Sequence, residues 1–221
     1  MNRRIFLKKN LVATTGLALA PALSWGTVIA PEKKVRIGFL GVGLRGTNHL
    51  RNLLKRDDVL IPAICDIDPE RIKIAQEMMA KAGHKKAETY TSGEHAYLDL
   101  LKRKDLDGVI IATPWEWHTP MAVAAMKAGK RPGIEVSAAN TIEECWDLVN
   151  TSEETGVPCM ILENSCYRRD AMAVLNMVRS GLFGELLHCE CGYLHDLRKI
   201  KFAPGAEFGA KGQHEARWRT N

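Results

Sequence analysis

The sequence predicts an α/β fold: a doubly wound parallel sheet, followed by the start of a second α+β domain. Three observations carry this expectation. Apolar runs of strand length alternate with amphipathic stretches of helical length between residues 33 and 165. The first apolar run ends in a glycine-rich turn that opens directly into a helical pattern. From residue 166 onward the pattern changes to a helix, a glycine-bearing turn and a strand of mixed residues.

Taken in order, Val35, Ile37 and Phe39 alternate as a strand should, and Gly41-x-Gly43-x-x-Gly46 follows at once. Residues 47–56 read as a helix with Leu50, Leu53 and Leu54 on one face, and residues 59–66 as the second strand. A helix over 68–83 places Ile72, Ala75, Met79 and Ala82 on one stripe. Residues 90–105 carry another helix with Ser92 as its cap, and 106–114 a buried strand. A helix ends at Gly129, a strand follows at 132–137, a helix at 141–156 and a strand at 157–164. Six strands with crossover helices make one parallel sheet, the third of them expected between the second strand and residue 106 without a run of its own.

The totals narrow the function. Of the 221 residues, 46% are apolar, enough for a real core. The net charge of +5 owes four of its positive charges to Arg3, Arg4, Lys8 and Lys9, so the remainder is near neutral and offers no nucleic-acid surface. Six cysteines form no C-x-x-C pair and read as buried free thiols, although Cys189 and Cys191 share a face if their segment is a strand. Seven histidines form no metal-binding pattern. Residues 1–30 pair Arg3-Arg4 and a basic start with a moderate apolar run ending in small residues. This is the pattern of a twin-arginine export signal, too weakly apolar for a membrane span. The expected destination is the periplasm or the exterior.

The glycine turn has a physical reading. Gly41 permits the tight turn, Gly43 lets the backbone approach a pyrophosphate, and Gly46 lets helix and strand pack closely, with the helix N-terminus facing the phosphates. Asp66 closes the second strand 25 residues after Gly41. An acid there accepts from both ribose hydroxyls and repels a 2′-phosphate, which favours NAD over NADP; the other reading is a plain turn acid. Ligands of such sheets sit at the carboxyl ends of the strands. Three segments project there. Trp115 and Trp117 can wall a flat ring, with His118 facing the reacting centre, or the loop folds onto the next domain. Glu135 ends the fifth strand. Asn164 ends the sixth and can bond the nicotinamide ribose.

The series GVGLRG, CDID, ATPWEWHTP, IEVSAA, ENSCYRRD, GLFGELLHCECGY and EARWRT resembles the Gfo/Idh/MocA oxidoreductase superfamily. Within it, the series resembles glycoside hydrolase family 109, the NAD-dependent α-N-acetylgalactosaminidases. The resemblance implies that Leu44, Arg45, Asp66, Trp115, Glu116, Trp117, His118, Glu135, Val136 and Asn164 contact NAD, and that Tyr193 and Arg219 contact substrate. It implies tightly held NAD that oxidises the sugar at C3, so that the acidified C2 proton permits elimination of the anomeric group. Water then adds and the hydride returns. Such a cofactor needs no outside pool and can leave the cell inside a folded protein. The implied partners are glycans ending in α-N-acetylgalactosamine and, for the full-length form, a second copy of the chain.

Two departures matter. Superfamily oxidoreductases carry Glu-Lys-Pro after the fifth strand, with the lysine moving a proton; here the residues are Glu135-Val136-Ser137, and valine is neither acid nor base. The family's Tyr-Pro-Thr-His segment does not occur before Asn221, so no catalytic residue is assigned beyond the possibility of His118. The chain is expected to be truncated, with residues 166–221 only the beginning of a substrate and dimerisation domain, and to be inactive alone. The alternatives are a sugar dehydrogenase of the same fold, or a non-catalytic protein that retains NAD.

Overall fold

A computed structural model of the protein describes residues 34–190, 192 and 194. Six parallel strands alternate with helices: β1 Val35–Leu40, α1 Leu44–Leu53, β2 Val59–Cys65, α2 Pro69–Lys81, β3 Glu88–Tyr90, α3 Tyr97–Leu101 and β4 Gly108–Ile111. A 3₁₀ turn at Trp115–Trp117 leads to α4 His118–Lys127, β5 Arg131–Ile134, α5 Ile142–Thr155, β6 Met160–Ile161 and α6 Arg169–Arg179. The strand order is β3-β2-β1-β4-β5-β6. The order reverses between β1 and β4, which is where an open α/β sheet leaves a crevice for ligand. The predicted doubly wound parallel sheet is the observed one.

Alternation along the strands separates the core into two layers. Phe39 and Ile64 pack with Leu50 of α1 and with Ile72, Ala75 and Met79 of α2. Their neighbours Leu40, Ala63 and Cys65 point the other way and pack with Leu100 of α3 and with Met121 and Ala125 of α4. Burying each large aliphatic side chain of this kind stabilises the fold by about 1.5–3 kcal/mol. The register brings the strand ends level. Leu40 pairs with both Cys65 and Ile111, Ile111 with Ile134, and Ile134 with Ile161. The residues that follow (Asp66, Gly41, Ala112 and Glu135) therefore emerge along one edge.

Local signals set the helix ends. Asp68 caps α2, its Oδ1 accepting from Glu70 N at 2.9 Å, and Thr141 caps α5 through Glu144 N. Gly156 ends α5 in the left-handed conformation at φ 66°.

Five local expectations are corrected. The cysteines are not uniformly buried: Cys65 is, whereas Cys145, Cys166 and Cys189 are exposed. Ser92 does not cap the third helix: residues 93–96 form a turn, with Ala96 N bonded to Gly93 O, and α3 begins at Tyr97. Ala82 is not on the buried stripe of α2; it is exposed at the helix end. The sixth strand is two exposed residues rather than eight. Residues 185–190 hold no strand, so Cys189 shares no strand face there, and Cys191 lies outside the described residues. The short β3 has no distinct run of its own in the sequence. Among the described residues, no helix is long and apolar enough to cross a membrane.

Candidate functional site

The glycine turn between β1 and α1 shows what each glycine permits. Gly41 sits at φ 86°, and a Cβ there would stand 2.8 Å from the backbone of Ala112. A Cβ on Gly46 would stand 2.2 Å from Gly41 O, so helix and turn meet backbone to backbone. At Gly43 a Cβ would meet no atom within 4 Å. The first two glycines are thus required by the protein's own packing, whereas Gly43 borders open space at the N-terminus of α1. Buried Thr47 ties this first turn together, its hydroxyl donating to Gly43 O at 2.8 Å. A helix N-terminus with a bare glycine before it suits a pyrophosphate.

Asp66 is fastened to the same turn. Its Oδ2 accepts from Val42 N at 2.8 Å and its Oδ1 from Asp68 N at 2.9 Å. Burial pushes its carboxyl pKa up, and the two backbone N–H groups offset part of that rise. An ionised carboxylate has about four accepting positions. Two remain on Asp66, enough for a pair of ribose hydroxyls.

Across the switch point, Glu135 follows β5 and is buried. Its Oε1 accepts from Arg45 Nε at 2.8 Å and lies 2.6 Å from His49 Nε2, and its Oε2 accepts from Val136 N at 3.2 Å. Burial pushes the Glu135 carboxyl up, but the His49 hydrogen bond, the Arg45 charge and the Val136 N–H together hold it below its ordinary value. With the Asn164 amide turned so that its nitrogen donates to Glu163 Oε1, its oxygen accepts from Arg45 Nη2 at 3.3 Å. Arg45, Glu135 and Asn164 are therefore one cluster, drawn from three segments of the chain. His49 joins it without having been singled out in the sequence. Its position four residues after Arg45, on the same face of α1, was the available signal.

The loop after β4 is tied down differently. Trp117 packs edge-on against His95 and Tyr97, with ring centroids 5.5 and 6.3 Å away, so its ring is committed to the start of α3. Trp115 is half-buried and Glu116 exposed. His118 is 1% exposed, with Nδ1 2.6 Å from Ser137 O and Nε2 2.8 Å from Thr113 O. Burial pushes its pKa down, against the pull of the two carbonyls. His118 thus joins the loops after β4 and β5 and does not face an open reacting centre. Leu44 and Val136 are more than one-third exposed. Tyr193 and Arg219 lie outside the described residues. Among the described residues, no group of three or more His, Cys, Asp or Glu side chains is placed to hold a metal.

Comparison with known proteins agrees with this fold. Residues 35–163 match the oxidoreductase family with an NAD-binding Rossmann fold, and residues 167–221 match the C-terminal domain of glycosyl hydrolase 109. A glycosyl hydrolase family 109 protein of Stenotrophomonas maltophilia is 48% identical over all of this chain and half of its own length. An alpha-N-acetylgalactosaminidase of Tannerella forsythia is 46% identical over 99% of this chain and 52% of its own. The chain spans about half the length of the curated relatives it matches. Among solved structures, the WlbA dehydrogenase of Bordetella pertussis, in complex with NADH and UDP-GlcNAcA, aligns over 68% of this chain and 43% of its own. Its TM-score is 0.59 and its identity 26%. The scyllo-inositol dehydrogenase of Lactobacillus casei, with bound NAD(H) and scyllo-inositol, shares the fold with a TM-score of 0.60 at 20% identity, over 69% of this chain and 43% of its own. The bare Gly43, the fastened Asp66 and these matches place the chain in the Gfo/Idh/MocA oxidoreductase family, in the branch its relatives name glycosyl hydrolase family 109.

Proposed function

We propose that the protein is a glycoside hydrolase that removes terminal α-N-acetylgalactosamine, using an NAD that it holds tightly and recycles. The observation that carries this reading is the 46% identity, over nearly the whole chain, to a protein named alpha-N-acetylgalactosaminidase. When bound, NAD supplies a hydride acceptor and donor for the sugar. The chain's own residues hold it. Gly43 leaves room for the pyrophosphate at the α1 N-terminus, and Asp66 has two accepting positions for ribose hydroxyls. Its negative charge disfavours a 2′-phosphate. Arg45, Glu135 and Asn164 order the opposite side of the crevice. Val136 stands exposed where related oxidoreductases carry a proton-moving lysine. That side chain neither accepts nor donates a proton, which counts against simple net sugar dehydrogenation.

The export signal, the second copy of the chain and the substrate contacts of Tyr193 and Arg219 belong to the same proposal. A folded protein exported with its NAD aboard would work away from the cytoplasmic cofactor pool.

The test is release of para-nitrophenol from para-nitrophenyl α-N-acetylgalactosaminide by protein from the full reading frame, freed of unbound nucleotide and given none. Release supports the proposal. No release, with NADH accumulating when free N-acetylgalactosamine and NAD are supplied, would replace it with a dehydrogenase. A protein that retains NAD and does neither would be a binding protein.

A further inference from the structure

We propose that His49 is a positioning residue for the cofactor site: by donating from Nε2 to Glu135 Oε1, it fills that oxygen together with Arg45 and leaves Oε2 as the only Glu135 oxygen with accepting capacity for bound NAD. The inference rests on the NAD part of the proposed function and is independent of which sugar is cleaved.

The geometry fixes the roles. A carboxylate only accepts, so the 2.6 Å contact requires the hydrogen on His49 Nε2. Oε1 has two accepting positions; Arg45 Nε at 2.8 Å takes the other. Oε2 already accepts from Val136 N at 3.2 Å, and one position on it remains. His49 and Glu135 are 20% and 9% exposed at their side chains, so little water competes for these bonds. Arg45, at 39%, is the more solvated partner and the weaker restraint. His49 projects from the second turn of α1 and Glu135 from the end of β5, so the bond ties the phosphate-binding helix to the far side of the switch point. Both partners of Glu135 on α1 are thereby involved, and among the described residues the other titratable group coupled to it is His118 of α4.

Two variants separate positioning from bulk. His49→Leu keeps an apolar body and loses the donor. His49→Gln keeps a donor on a side chain of similar reach. NAD is titrated calorimetrically, across a range of pH, into full-reading-frame protein stripped of nucleotide. Loss of a hydrogen bond to a charged group should weaken NAD binding about tenfold or more in His49→Leu. His49 is the first of the groups that hold Glu135 low. The acid limb of the affinity profile should therefore move to higher pH in that variant. His49→Gln should restore both. Unchanged affinity in His49→Leu overturns the inference, and so does a loss of affinity without a shift of the acid limb. A His49→Gln variant as impaired as His49→Leu also overturns it. Wild-type protein that binds no NAD would overturn the cofactor reading itself, whereas normal wild-type binding with unaltered variants would overturn this inference alone.

Discussion

Replacing Gly46 by alanine should damage the fold, and replacing Gly43 should damage only the ligand site. At Gly46 the new Cβ would lie 2.2 Å from Gly41 O and 2.9 Å from Gly41 C, both backbone atoms. Reaching the 3.0 Å below which real Cβ contacts essentially never fall needs an opening of about 0.8 Å. Gly41 has nowhere to go, because its N–H bonds Cys65 O at 2.8 Å and its other side abuts the Ala112 backbone. Helix α1 must retreat instead, taking buried Leu50 with it. Forced overpacking of this sort costs about 3 kcal/mol, and the better helix propensity of alanine returns about 1 kcal/mol. A net loss of about 2 kcal/mol lowers the melting temperature by about 4–8 °C in a domain of this size. At Gly43 the added methyl meets nothing within 4 Å, and φ −64° suits any residue. The cost is that of a poorer N-cap, about 0.5–1 kcal/mol. The same methyl would stand where the proposed pyrophosphate site lies, so NAD affinity should fall at least about tenfold. Thermal melting by circular dichroism and NAD calorimetry on the two variants decide the matter. A Gly46→Ala protein that melts like wild type, or a Gly43→Ala protein that binds NAD normally, would refute the roles assigned to the turn.

Three further outcomes are expected. Asp66→Ser should weaken NAD binding and erode the preference over NADP, measured by titrating both nucleotides. Glu135 is held below its ordinary value of 4.5 in the fold, so its stabilisation is complete above that value and is lost as pH falls toward the lower folded one. Glu135→Gln should accordingly cost about 2 kcal/mol in urea unfolding at neutral pH, with the gap closing under acid conditions. Burial pushes the Cys65 and Cys159 thiols up to about 12 and about 11, while Cys145 is exposed. A colorimetric disulfide reagent should therefore reach Cys145 in the native protein and Cys65 only after unfolding.

The fold was legible wherever burial imposed a period. Phe39, Leu50, Ile72, Ala75 and Met79 lie on the core because strand and helix spacing aims them there. The glycine turn and Asp66 were legible because backbone approach restricts which residues fit. β3 left no signal, being three residues of which Glu88 and Thr89 are exposed. Ser92 is a cap by residue type, but the turn at Gly93, with φ 134°, postpones the helix to Tyr97. The site was legible in its separate parts and not in its joins. Nothing local says that His49 meets Glu135 86 positions away, or that His118 spends both ring nitrogens between Thr113 and Ser137. The first contact is made by α1 reaching the residue after β5, and the second by the start of α4 lying between the loops after β4 and β5.

The most direct test of a hydrolase built on an NAD fold is the fate of the sugar's C2 hydrogen. A glycosidase working through paired carboxylates never breaks that bond. Oxidation at C3 makes the hydrogen exchangeable. Para-nitrophenyl α-N-acetylgalactosaminide hydrolysed in deuterium oxide by protein from the full reading frame, without added NAD, should give N-acetylgalactosamine carrying deuterium at C2 by proton NMR. Hydrolysis with the C2 hydrogen fully retained would contradict the proposed chemistry.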